Sequence, residues 1–221
     1  MPKPKRSTAD RNRRRGIEAR VIGLLERYDC PTPYHAVCTH FLGALSGSAP
    51  VQPMKVLATI WDGALPAFPS IDAVNELLEA LISGLWNEHT THQDDTQPYR
   101  LTPMPARATR QSLTSLIETR AEEIHGFLTG LFGDQENLEV PGSMADSLDA
   151  LMELDEMFSG MQALLEDPEK AASTSDLKAL KVHLAELTNI VEQEIHNVVL
   201  GARVLREQEG AMEEKTELTV H

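Results

Sequence analysis

The chain has 221 residues, long enough to bury a sizeable core, and only 5% of them are aromatic. Leu, Ala and Met are plentiful and no stretch alternates Val, Ile and Thr, which argues against a sheet and for helices packed on helices. The net charge is −14, yet residues 1–20 carry eight Lys or Arg against Asp10 and Glu18, so the body repels polyanions and only the N-terminal end can attract them.

Residues 1–9 combine charge, proline and small polar side chains and are expected to form a disordered basic arm. A first helix is predicted from about Asp10 to Tyr28, with Ile17, Val21, Leu24 and Leu25 on one face. Pro31 and Pro33 interrupt it, and a second helix follows, ending at a glycine-bearing segment, residues 38–47. Pro53 opens a third helix through Trp61, and the turn-rich DGALPAFPS comes next. Ser70 then caps an amphipathic helix with Ile71, Val74, Leu77, Leu78, Leu81, Ile82 and Leu85 on its apolar side. These elements form a front helical unit, residues 10–92. Three prolines and many polar groups make 93–106 the expected linker.

The back unit, 107–210, reads as three helices, about 107–132, 143–166 and 173–209. Ser173 or Ser175 caps the longest, and residues 211–221 read as a flexible tail. The fold class is therefore all-α, a bundle of about seven helices in two related units. Their relation lies in a repeat, CTHFLGALSG at 38–47 and IHGFLTGLFG at 124–133. Phe41, Leu42 and Leu45, like Phe127, Leu128 and Leu131, share one helical face. Gly43, Ala44, Thr129 and Gly130 between them would admit another helix closely. Gly47 and Gly133 fall where a helix commonly stops in a left-handed conformation.

Residues 41–88 resemble the N-terminal region of the YecA/YgfB-type bacterial proteins. The matching positions are Phe41, Leu42 and Leu45, then Pro53, then Leu57, Ile60 and Trp61, then Pro66 and Phe68, and finally Asn87 and Glu88. The second copy, EIHGFLTGLFGD, is similar to a helix motif of the same family. The resemblance implies an all-helical fold and an adaptor or regulatory role rather than catalysis. This chain has Thr39 and His40 where the family usually carries an acidic-Gly pair. No cysteine follows Cys38, so the C-terminal zinc module of many members has no counterpart.

Two cysteines do not make a disulfide framework. No apolar run reaches the ~18 residues of a membrane span, and no apolar segment follows the basic N-terminus as in a secretory signal, so a cytoplasmic protein is expected. Cys30, His35 and Cys38, together with His40, are metal-ligand types within eleven residues, and His89 and His92 precede Asp94 and Asp95. Neither group has the paired spacing of a structural zinc site. The first reads as core thiols and interface histidines, the second as a polar helix end. His125 stands alone, without a nucleophile beside it. No phosphate loop, nucleophile elbow or carboxylate pair occurs, so no catalytic residue, metal or cofactor is expected.

Residues 134–170 hold eleven acids and one base, Lys170, with Met144, Met152, Met157 and Met161 threaded among them. Methionine suits adaptable contacts with partner helices. The expected function is therefore a non-enzymatic adaptor or regulator. Its partner-binding groove would be built on those methionines and Phe158, and the partner is a protein, with a homodimer among the candidates. The alternative is a nucleic-acid-associated regulator that uses Arg11, Arg13, Arg14 and Arg15 on phosphates. Against it, no aromatic accompanies those arginines to stack on bases. A metal-binding protein is the third reading.

Overall fold

The computed structural model describes the backbone of residues 8–47, 52–133, 140, 142–166 and 173–219, and side chains within these from residue 13 to 208, apart from 143 and 163–166. Most of the expected basic arm and the polar segments 134–139 and 167–172 lie outside the described residues. Every regular element described is helical, as the composition implies. The helices are α1 (Thr8–Arg27), α2 (Tyr34–Leu45), α3 (Pro53–Thr59), α4 (Ile71–Leu78), α5 (Arg110–Phe132), α6 (Gly142–Glu166) and α7 (Thr174–Thr219). α4 continues without a break into a π-helical segment, Glu79–Trp86, an α-turn, Asn87–His89, and a 3₁₀ turn, Thr90–Gln93.

The caps follow the sequence signals. Ser70 Oγ accepts from the Ala73 amide (3.2 Å), and Ser173, rather than Ser175, accepts from Asp176 N (3.3 Å). Thr109 and Ser112 exchange side-chain and backbone bonds at the start of α5. Gly133 ends α5 with φ +52°, where a residue with a Cβ is strained. Gly47 differs from the expectation. α2 stops two residues earlier, its Ser46 cap has ordinary right-handed angles, and Gly47 has no positive φ. The end of α2 is instead closed from outside: Leu45 O accepts from Arg206 Nη1 of α7 (2.8 Å) and from Gln93 Nε2 (3.1 Å). A cation at a helix C-terminus also meets the negative end of its dipole.

Two apolar cores result. The front one gathers Val21, Leu24 and Leu25 of α1, Val37 and Phe41 of α2, Leu57, Ile60, Trp61, and Leu77, Leu81, Leu85 and Trp86. The back one gathers Leu113, Ile117, Ile124, Phe127 and Leu131 of α5, Leu148, Leu151, Leu154 and Phe158 of α6, and Leu184, Val191, Ile195 and Val198 of α7. Leu42 of α2 belongs to the back core, and the Tyr99 ring touches both.

The two repeat copies are each other's packing partner. A Cβ on Gly43 would lie 2.0 Å from Phe127 O, one on Gly130 2.0 Å from His40 O, and one on Gly126 2.6 Å from Ala36 O. Only glycine lets the α2 and α5 backbones meet at these points. The front copy therefore contacts the back copy directly, and the flanking Phe and Leu side chains enter the two cores.

Candidate functional site

The methionine-bearing helix divides into two faces, because a 3.6-residue period alternates what it presents. Met144, Leu148, Leu151, Leu154 and Phe158 turn inward and are buried; Met161 is half-buried against the same core. Met144 packs on α7, where a Cβ on Gly201 would lie 3.6 Å from its Sδ. Met144 and Phe158 therefore do not line a partner groove as expected. Their helical positions coincide with the leucines that close α6 onto α5 and α7, so the core takes them. The outer face keeps Met152 and Met157, 52% and 40% exposed. Between them runs a row of exposed acids, Asp146, Asp149, Glu153 and Glu156, and no Lys, Arg or His occurs anywhere in 142–166. Burial raises the carboxyl pKa of Asp155 at the edge of that row.

The basic arginines are partly committed. Arg14 Nε pairs with Glu88 at 2.6 Å, while Arg13 and Arg15 are exposed; the Arg11 side chain lies outside the described residues. Further along α1, Arg20 pairs with Glu79 (2.8 Å) and Arg27 with Glu76 (2.9 Å), so one arginine row docks α1 onto α4 and its π-helical continuation.

The metal-ligand types do not converge, and no group of three or more among the described residues is arranged to hold a metal ion. Cys30 Sγ donates to Ile60 O (3.2 Å), and burial pushes its thiol up to about 11. His35 pairs with Glu122 across the α2–α5 contact (2.6 Å). Cys38 is buried beside the hydroxyls of Tyr34 and Tyr99, and burial pushes its thiol up to about 12, far from a nucleophilic thiolate. His40 is buried, lies 3.2 Å from the Thr59 hydroxyl, and is held below its usual pKa by burial. His125 is exposed.

His89 and His92 depart from the polar helix end expected of them. Both are buried, with ring centroids 5.8 Å apart, and Tyr99 stands edge-on to each at 5.5 and 5.2 Å. His92 Nδ1 lies 2.8 Å from Gln97 O. Neither ring nitrogen of His89 has a hydrogen-bond partner. The remaining motif residues pack: Phe41, Leu42, Leu45, Trp61, Phe127 and Leu131 are buried, Leu128 and Phe68 half-buried. Trp61 Nε1 donates to Tyr28 O (3.1 Å), and Phe68 stands edge-on to Tyr28 at 5.0 Å.

One polar group escaped the sequence reading. Arg120 and Glu123 of α5 are ion-paired with both side chains fully buried. Arg120 also donates to Thr102 O and, through Nε, to the Thr188 hydroxyl of α7 (3.0 Å). Glu123 Oε1 accepts from the Thr102 amide and hydroxyl (2.8 and 2.7 Å). The segment expected as a linker is thus bonded to α5 at Thr102, through both members of the buried pair. Glu192 of α7 adds to this by holding Arg100 and the Leu101 amide. A signal was present: Leu113, Ile117, Arg120, Ile124, Phe127 and Leu131 follow one helical stripe, and Arg120 is its single charged member.

No described helix is long and apolar enough to cross a membrane. The chain matches no protein-family model, no curated protein and no solved structure.

Proposed function

We propose that the protein is a non-enzymatic adaptor or regulator that binds another protein through the outer face of α6. The observation that carries this reading is the pairing of exposed Met152 and Met157 with the acidic row between them, on a helix whose opposite face is anchored in the core. Exposed methionines offer adaptable apolar contact, and the acids select a basic partner. The nucleophile-type groups support the same reading. Buried Cys38 sits beside the half-buried Tyr34 and Tyr99, and loss of water around these groups raises the pKa of all three and keeps them protonated. A cytoplasmic location and membership of the YecA/YgfB-type family belong to the same proposal.

Affinity capture with the full chain, beside Met152→Glu/Met157→Glu, tests it. The expected result is a protein retained by the unaltered chain and released by the double variant, at unchanged helicity and melting temperature. The reading fails if captured proteins bind both forms equally, or if the purified chain turns over a substrate.

A further inference from the structure

We propose that the outward face of α7 pairs with the same face of a second copy of this chain, antiparallel, about a two-fold axis at Asn197. This surface is separate from the α6 face. α7 turns Leu184, Val191, Ile195 and Val198 into the back core. One flank of the helix is covered by the segment before α5: Lys181 Nζ donates to Ala106 O (2.9 Å), Arg203 Nη1 to Gln93 O (3.2 Å), and His196 lies 3.4 Å from Asp95. The other flank is covered by α6, where a Cβ on Gly201 would lie 3.6 Å from Met144. Opposite the core, Val182, Ile190 and Val204 stay open to solvent, 57%, 46% and 50% exposed.

Charge and symmetry together point to a second copy as the occupant. Each chain carries −14, so two copies repel over most of their surface. Along the middle of this face Ile190, Gln193, Asn197, Leu200 and Val204 follow one another with no charge among them. A basic partner gains nothing there, whereas two like-charged chains meet best where charge is absent. The amides on the face are already partnered. Gln193 Nε2 donates to Asn197 Oδ1 (2.9 Å), and Asn197 Nδ2 to the Glu194 carboxylate at the edge (3.1 Å), so excluding water leaves neither bond unmade.

The symmetry lies in the spacing. Ile190 and Val204 stand equally far from Asn197, one heptad before it and one after, on nearly the same helical face. An antiparallel pair centred on Asn197 sets Ile190 of each copy on Val204 of the other. The same register brings Glu186 beside the exposed, uncharged Gln208. A parallel pair would instead set Glu186 against the identical carboxylate. The antiparallel contact is isologous and closes at two chains. From Val182 to Val204 the face is about 33 Å long and about 10 Å wide, well below the ~800 Å² per partner of a standard interface, so the dimer is weak, of micromolar order.

Sedimentation equilibrium of the full chain, from about 5 to about 200 µM, reads the association. The expected result is a dimer that grows with concentration and tightens severalfold when salt rises from about 50 to about 500 mM, because salt screens the repulsion between copies. Ile190→Glu/Val204→Glu should weaken it at least about tenfold, by setting carboxylates against carboxylates, at unchanged circular dichroism. The proposal is overturned if the chain stays monomeric throughout, if that variant associates as the unaltered chain does, or if association weakens with salt. The last result would mean that the basic N-terminal end of one copy holds the acids of another. Mild oxidation of Asn197→Cys tests the register without disturbing the apolar line. It should give a disulfide-linked dimer, whereas Ile190→Cys should not, since its two copies would stand about 21 Å apart along the helix. The unaltered chain, with Cys38 buried and Cys30 half-buried, sets the background. Linking of both variants alike, or of neither, overturns the antiparallel pair.

Discussion

Gly130→Ala is the most direct probe of the way the two repeats meet. The added methyl would lie 2.0 Å from His40 O, 2.8 Å from His40 C and 3.0 Å from Ala44 N, all backbone atoms of α2. An ordinary carbon–oxygen contact is above 3 Å, so α2 and α5 must separate by roughly 1 Å at this point, because backbone in a packed helix cannot swing aside. Separation also loosens Phe41, Leu42, Phe127 and Leu131, which fill the space on either side. Overpacking of this kind costs about 1–3 kcal/mol or more, against a gain of about 1 kcal/mol from replacing glycine inside a helix. Because the 2.0 Å clash is with backbone, the upper end of that cost applies, and the net expectation is a loss of about 2 kcal/mol, or a fall in melting temperature of about 4–8 °C for a chain of this size. Gly160→Ala is the matched control. It makes the same change in a helix where nothing lies within 4 Å of the new methyl, and should gain up to about 1 kcal/mol. Urea unfolding of the two variants, followed by circular dichroism, separates the packing effect from the helix propensity they share. Gly130→Ala equal to or more stable than the unaltered chain would refute the backbone-to-backbone contact.

Three further outcomes follow from the buried polar groups and from the docking face. Arg120→Met leaves Glu123 as a buried carboxylate without its partner and should lower the unfolding free energy by about 3–5 kcal/mol; Arg120→Met/Glu123→Leu should recover most of that loss in the same urea titration. Cys38, with its thiol near 12, should resist iodoacetamide at pH 8 in the folded chain and react at the rate of a free thiol in urea, as mass spectrometry of the alkylated peptides will show. Met152→Glu/Met157→Glu should leave the melting temperature within about 4 °C of the original, since exposed substitutions move stability by only about ±0.5 kcal/mol each; a larger fall would mean that these side chains hold the core.

Legibility differed by kind of information. Helix positions were readable to within a few residues, because periodic leucines and the caps at Ser70 and Ser173 are local signals. The end of α2 was not, since it is set by Arg206, 161 residues away in sequence. α7 also runs past the expected end near Gly210, to Thr219. Met144 and Phe158 are core residues that composition does not single out, because it marks a helix as methionine-rich and acidic without saying which way it is turned. His89 and His92 looked like a solvated helix end, since nothing in their neighbours announces that Tyr99 and α2 close over them.

Composition and local pattern are enough to specify an all-helical chain, the approximate limits of its helices, a basic beginning against an acidic body, and two copies of one glycine-bearing helix motif. These are local or compositional properties, and they survive without knowledge of any neighbour. The assembled helices alone reveal that the two copies pack on each other, that Arg120 and Glu123 pair in the core, and that His89 is sealed with neither nitrogen bonded. Each of these is a relation between residues distant in sequence or a matter of exclusion from water. A one-dimensional pattern records which side chains are present, but burial and pairing are fixed only when the helices close on one another.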